Sequence, residues 1–350
     1  MHMADALISP TVGAVMWAAT AGLVSYSAKK VQKELDDSKV PLMGVLGAFV
    51  FSAQMINFSI PATGSSGHIG GAMLLAILLG PYAAFLTIAS ILTIQALFFA
   101  DGGLLALGCN IFNLGFFPCF IAYPLIYKKL AGDNVTKRSL IIGANIAAIA
   151  GLQLGAFGVV VETFMSGITE LPFNTFLLLM QPIHLAIGIV EGLVTTAVVL
   201  FILKERPEII QRVSAGKAFG NISMKPVLVS LLLVALLTAG MLSWFASSDP
   251  DGLEWSIAKT TGEEELQQPE GIHSVLADLQ KKIAILPDYN FKETEPATSG
   301  ETKEPASAWS AADSGLSTAG IVGSIFTLIV AGSIGKLLQM FNRRQQKCPN

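Results

Sequence analysis

Charge is what this chain has least of. Only 13% of its 350 residues are Asp, Glu, Lys or Arg, about half the share usual in a soluble globular domain. Cysteine is scarce as well. Cys109, Cys119 and Cys348 form no C-x-x-C pair, which excludes a disulfide framework and a zinc site of that spacing. Among the four histidines no H-E-x-x-H occurs, so an intramembrane zinc protease of that pattern is excluded. Gly332-Ser-Ile-Gly335-Lys336 fails as a phosphate loop, because Val330 and Leu337 stand where Gly and Ser or Thr are required. It is a helix end with a snorkelling lysine, and the chain has no ATPase of its own. Nothing points to a nucleic-acid partner.

Apolar sequence is there in quantity: 52% of residues are hydrophobic and the mean hydropathy is +0.61. A helical span needs roughly 20 apolar residues. Such runs predict an all-α polytopic membrane protein, in contact with lipid. Nine spans are expected, at about 8–28, 41–59, 68–79, 82–100, 104–127, 139–161, 175–203, 226–246 and 318–341. No Lys or Arg precedes the first run, and Lys29, Lys30 and Lys33 follow it. That pattern argues against a cleavable signal peptide and puts the amino terminus outside.

The remaining basic residues agree. Of 22 Lys and Arg, 17 fall in the segments this topology places inside, and the other 5 lie in one long outer loop, 247–317. The run 68–79 is short, yet merging it with the next would put Lys128 and Lys129 outside, so two crossings or a re-entrant pair are expected there. The outer loop holds 14 acidic and 5 basic residues. It reads either as an acidic loop that crosses easily or as a field attracting cations to a metal entrance. Ile272, Val275, Leu276, Leu279 and Ile283 recur at helical spacing, whereas 290–314 has the composition of a disordered segment.

Several polar residues fall inside spans: Gln54, Asn57, Gln95, Asn110, Asn113, Asn145 and Gln153. Interhelical hydrogen bonding accounts for the amides. Gln181, His184, Gly188 and Glu191 share one helix face, and ionisable groups at such depth are costly. His184 and Glu191 are read either as structural or as a bonded pair that gates movement of the bundle. Gly44, Gly47, Ala48 and Ser52 form a small-residue face, for packing within the chain or against another membrane subunit.

The start of the chain carries the chemistry. A histidine at position 2 is often an accident of the start codon. A bulky His2, however, should block removal of Met1, and three nitrogens then reach one ion: the Met1 amine, the His2 amide and the His2 imidazole. They lie in a plane, which suits Ni(II) or Cu(II) better than tetrahedral zinc. His68, in the glycine-rich loop Gly-Ser-Ser-Gly-His-Ile-Gly-Gly at 64–71, is the candidate for the open fourth position. The glycines permit positive φ and let the loop fold down into the bundle. Ser65 and Ser66, with Asn57, are candidates to orient the ligands by hydrogen bonds.

The opening Met-His-Met-Ala-Asp-Ala-Leu-Ile-Ser-Pro, the histidine loop and Pro250-Asp251-Gly252-Leu253-Glu254 together resemble one family over the whole chain. It is the substrate-capture subunit of energy-coupling-factor nickel/cobalt transporters, fused to its small accessory (PDGLE-type) subunit. The resemblance implies a seven-span capture unit at 1–203, a cytoplasmic linker at 204–225, a two-span accessory unit at 226–341 and a tail at 342–350. It implies Met1, His2 and His68 as ligands of the transported ion, with no other cofactor. A direct Met-His start is more like the nickel type, with Co(II) the alternative. The implied partners are a transmembrane coupling subunit and cytoplasmic ATPases. Two rival readings are a membrane metal sensor, which would need a cytoplasmic output domain, and an intramembrane enzyme using His184 and Glu191.

Overall fold

Lipid offers backbone N–H and C=O groups no partner, so a chain this apolar satisfies them within helices. The computed structural model describes residues 2–34, 38–132, 135–220, 223–263, 266–292 and 313–347. Met1, Cys348 and most of the stretch expected to be disordered lie outside the described residues. A 3-10 turn at Asp5–Leu7 leads into α1 (Pro10–Glu34) and α2 (Lys39–Gln54). A two-stranded hairpin follows, β1 (Phe58–Ile60) paired antiparallel with β2 (Ser65–Gly67). Next come α3 (Ala72–Leu79), α4 (Pro81–Phe98), α5 (Leu107–Ala131), α6 (Lys137–Ser166) and α7 (Phe173–Glu205). The short α8 (Pro207–Ser214) connects to α9 (Lys225–Gly240), then α10 (Gly252–Thr261), α11 (Ile272–Ile283) and α12 (Ser314–Lys347).

The protein is a helical, polytopic membrane protein. Among the described residues, α4, α5, α6, α7 and most of α12 are long and apolar enough to cross a bilayer, and α2 and α9 are shorter apolar helices. Within α5 the winding loosens to π turns over Phe112–Tyr127, where Pro118 and Pro124 each remove a backbone donor.

The run expected as a span at 68–79 is not one continuous helix. Its helical part, α3, has 8 residues, a rise of about 12 Å, well short of the hydrocarbon thickness. The missing length is supplied by an extended leg that carries His68. Gly71 ends that leg at φ 78°, and Gly80 turns the chain at φ 82° into α4, whose first residue is Pro81. Every residue of α3 is buried, so this short helix is the centre of the bundle. Gly80 at its end lies beside Val213 of α8, while α4 runs back towards Asp101.

The amides bond between elements as expected. Gln95 donates to Gln54, Asn113 to Glu162 and Asn145 to Thr196, and Gln153 and Gln181 exchange bonds with each other's backbone carbonyl. Cys109 and Cys119 are buried and free.

The small-residue face of α2 packs within the chain, against α12. A Cβ on Gly44 would come 2.9 Å from the Leu328 carbonyl, and one on Gly47 would come 3.0 Å from Thr327. Ser52 Oγ lies 2.7 Å from Ser324 Oγ across the same seam. With no hydrophobic drive between helices in lipid, such close approach is what holds them together. Gly44→Val should therefore force α12 away and destabilise the chain by about 1–3 kcal/mol. Gly22→Ala, where a Cβ meets nothing within 4 Å, should be neutral or gain a few tenths from helix propensity. Thermal unfolding in detergent compares the two, and equal midpoints would refute the α2–α12 seam.

Candidate metal centre

The segment 2–5 is threaded into the bundle rather than left on its surface. Met3 is fully buried, and its N–H donates to Asn110 Oδ1 at 2.8 Å while its carbonyl accepts from Gly103 N at 2.9 Å. Asp5, also buried, accepts from Ala106 N at 2.9 Å. Gly103 makes room for it, since a Cβ there would overlap the Asp5 carboxyl. These bonds leave His2 little freedom and deliver it to the wall of a cavity of about 580 Å³.

His68 reaches the same wall by a different device. Both oxygens of the Glu191 carboxyl accept backbone bonds from the histidine loop, from Gly70 N at 2.9 Å and Gly71 N at 3.1 Å. Gln54 donates to the Gly70 carbonyl at 2.8 Å. Gly67 lies so close to α7 that a Cβ would sit 2.5 Å from Ile187. Here the glycines are required by close approach, and at Gly71 also by positive φ.

The result is that the His2 and His68 rings lie 5.2 Å apart, centroid to centroid, tilted by 36°. His68 Nδ1 donates to the Ile69 carbonyl at 3.1 Å, which leaves Nε2 with its lone pair. With Nδ1 donating, the neutral ring is able to ligate through Nε2. Neither Ser65 nor Ser66 bonds to it. Ser65 Oγ donates to the Ser66 carbonyl and Ser66 Oγ to the Asp249 carbonyl. Asn57 lines the cavity and offers its backbone carbonyl to Ser247 N at 2.7 Å. Ser66 thus anchors the loop to the segment after α9, while the Ser65 hydroxyl stays within the loop. The reason is the register of β2, which turns that strand towards 249–251.

His184 and Glu191 do not form a pair. His184 Nδ1 is bonded to Met180 O at 2.8 Å, and Glu191 is committed to the two glycine amides. Two turns of helix separate them on the face they share.

Three participants were not singled out in the sequence as site residues. Asp101 Oδ1 lies 2.6 Å from His2 Nδ1, and Tyr289 donates its hydroxyl to the other oxygen of the same carboxylate. Burial opposes ionisation of Asp101, but His2 and the Tyr289 hydroxyl hold its pKa down to about 2. Asp101 was legible only as a turn residue beside two glycines, and Tyr289 stands 188 positions away with no local signal. The third is Asp251. The P-D-G-L-E stretch is more than a turn: Asp251 caps α10, accepting from Leu253 N and Glu254 N, and Glu254 accepts from Asp251 N in return. An Asp followed three residues later by Glu is the signal for that box. The cap seats on the histidine loop, with Ser66 N donating to Pro250 O at 2.8 Å.

Among the described residues, no three His, Cys, Asp or Glu side chains form a group able to hold a metal ion. What the cavity brings together is the imidazole pair of His2 and His68.

Residues 2–209 match a family described as the cobalt uptake substrate-specific transmembrane region, and residues 225–340 match the PDGLE domain. The putative fused nickel transport protein NikMN of Archaeoglobus fulgidus is 31% identical over 332 residues, covering 94% of this chain and 96% of its own. The probable fused nickel transport protein LarMN of Lactiplantibacillus plantarum is 32% identical, covering 73% of this chain and 78% of its own. A solved transition metal transporter is 34% identical and superimposes with a TM-score of 0.53, covering 61% of this chain and 98% of that one. The chain belongs to the cobalt uptake substrate-specific transmembrane family, fused to a PDGLE accessory region, and is a cobalt/nickel transport component rather than an enzyme.

Proposed function

We propose that this chain captures one divalent ion, Ni(II) in preference to Co(II), through the Met1 amine, the His2 amide and imidazole, and His68. The observation that carries this is the meeting of the His2 and His68 rings, 5.2 Å apart, in one cavity. Met1 itself lies outside the described residues. The imidazole nitrogen that closes a small ring with the His2 amide is Nδ1, so loading the ion exchanges the bond to Asp101 for a bond to metal. Three nitrogens in a plane with an imidazole in the fourth position suit Ni(II), which accepts square-planar nitrogen ligation.

The domain reading follows: a seven-span capture unit at 1–203, a cytoplasmic linker at 204–225, and a two-span accessory unit at 226–341 with its acidic loop at 247–317 and a tail at 342–350. On this reading the chain crosses the inner membrane of a bacterial or archaeal cell nine times, and the distribution of Lys and Arg supports an amino terminus outside. Release inward is driven by ATP hydrolysis on partner subunits, working through a separate transmembrane coupling subunit. The names of the fused nickel relatives support the nickel preference.

Removing the fourth ligand tests the site directly. His68→Ala should weaken Ni(II) binding by about 100-fold or more, at or beyond the upper end of what outer-sphere losses cost, with the helical fold intact. Wild-type affinity in a calorimetric titration of that variant would remove His68 from the site.

Cutting the chain after Arg212 should leave a unit that binds Ni(II) but supports little uptake, because the segment holding Ser66 and Asp101 is gone. Full uptake by cells carrying the shortened form would refute an assisting role for the accessory unit.

Two insertions after Met1 test the chelate by counting atoms. Inserting Leu keeps Met1 and moves the histidine to position 3, where amine, two amides and imidazole fill all four planar sites. That variant should bind Ni(II) without needing His68, and should fail in uptake. Inserting Ala permits removal of Met1, restores the original ring pattern as Ala-His, and should largely preserve both. Nickel uptake is measured alongside terminal mass analysis. Identical behaviour of the two variants, despite their different processing, would rule out the amino-terminal chelate.

A further inference from the structure

His184 is 1% exposed and lies on α7 one turn before Ile187, the residue packed on Gly67. Its Nδ1 is 2.8 Å from the Met180 carbonyl. A carbonyl only accepts, so the proton sits on Nδ1 and Nε2 carries a lone pair. That Nε2 is buried and has no hydrogen-bond partner among the described residues. Buried acceptors are seldom left so. A histidine whose one nitrogen donates to a backbone carbonyl while the other stays bare has the orientation of a metal ligand.

The ring borders a void of about 10 Å³, close to the room that one water-sized particle needs. His68 and Asp251 line both this void and the large cavity. They are the partition between the two. Gly252 closes the void from the accessory side, and a Cβ there would lie 3.2 Å from His184 Cε1. On the far side a tighter crevice begins. It shares Gly70 and Leu114 with the void and is bounded by Glu191 and Asn113, whose Oδ1 is likewise without a partner. Acceptor atoms thus follow one another from the capture site into the bundle. Ionisable residues at such depth mark ion pathways.

We propose that His184 Nε2 is a second, transient ligand of the transported divalent cation. An ion released by His2 and His68 passes between His68 and Asp251 and is taken by His184 before moving on. Transit requires a site attractive enough to enter and weak enough to leave. A single neutral imidazole, without the chelate that holds the ion at the terminus, meets both conditions. The proposal rests on the capture site above but makes a separate claim about what happens after capture.

The test uses the full chain in cells with its partner subunits, and Ni(II) as the probe. His184→Gln keeps a side-chain amide for the Met180 carbonyl but supplies no strong ligand. His184→Cys gives up that bond and supplies one. The relay predicts that Gln leaves Ni(II) affinity of the purified chain within about twofold and lowers uptake at least tenfold. Cys should restore a substantial part of uptake and shift its preference between nickel and a softer ion such as cadmium. Wild-type uptake with Gln overturns the proposal, because the bare nitrogen is then dispensable. Equal loss of uptake with Gln and Cys also overturns it, since only packing or the Met180 bond would then matter. A parallel loss of binding and uptake with Gln overturns it as well, placing His184 in capture rather than in transit. His2→Ala is the separate control: if binding survives that change, the terminal capture site is wrong, while the His184 variants still decide whether uptake runs through His184.

Discussion

One buried carboxyl group holds the histidine loop in place. Glu191, 3% exposed and far along α7, accepts the backbone N–H of Gly70 and of Gly71. In an apolar bundle those two donors have no water to turn to, and leaving either unpaired would cost about 1–3 kcal/mol. Their satisfaction fixes the extended leg between β2 and α3, and through it the position of His68. The same bonds explain why α3 is only 8 residues long. The helix cannot begin until the chain has finished serving Glu191, and Gly71 in the left-handed region marks that point.

The accessory segment is a lid bonded to the site from several directions. Pro250 takes the N–H of Ser66, Gln280 donates to the carbonyls of Ala96 and Gly102, and the carbonyls of Phe98 and Phe99 accept from the backbone of 285–288. His273 donates to Ile8 O at 2.9 Å, close to the threaded terminus. Tyr289 stacks on Phe99 at 5.0 Å and grips Asp101. To do so Asp288 and Tyr289 adopt φ of 50° and 58°, a conformation that non-glycine residues hold only where surrounding contacts enforce it. Such backbone is found where a segment is held for a purpose. Here it places a phenol against the carboxylate that meets His2.

Polar groups inside this protein therefore fall into two sets. The amides between helices bond to each other and to backbone, and they fasten the bundle as interhelical bonds do in lipid. Others border cavities: His2, His68, Asp101 and Asp251 at the large one, and His184, Glu191 and the amide Asn113 along the crevices below. Among the described residues, His2 Nε2, His184 Nε2 and Asn113 Oδ1 of this second set are buried without a hydrogen-bond partner.

The sequence by itself determined the class, the apolar helices and the small-residue face of α2, and it named His2 and His68 as candidates that only the fold brings together. Each depends on composition, on spacing within one helix, or on the chain start, and these are local quantities. It also marked Glu191 and His184 as out of place in lipid, because an ionisable residue in an apolar run is visible in one dimension. Their roles needed the third. A one-dimensional pattern shows that both lie on one face, but it does not show that Glu191 meets glycine amides 120 residues away while His184 turns back on its own helix. For the same reason the small-residue face could not be assigned a partner until α12 was seen against it. Asp101 and Tyr289 were hidden for a stronger reason. A turn aspartate and a loop tyrosine carry no periodic signal, and only the folding of the accessory lid over the terminus brings them to His2.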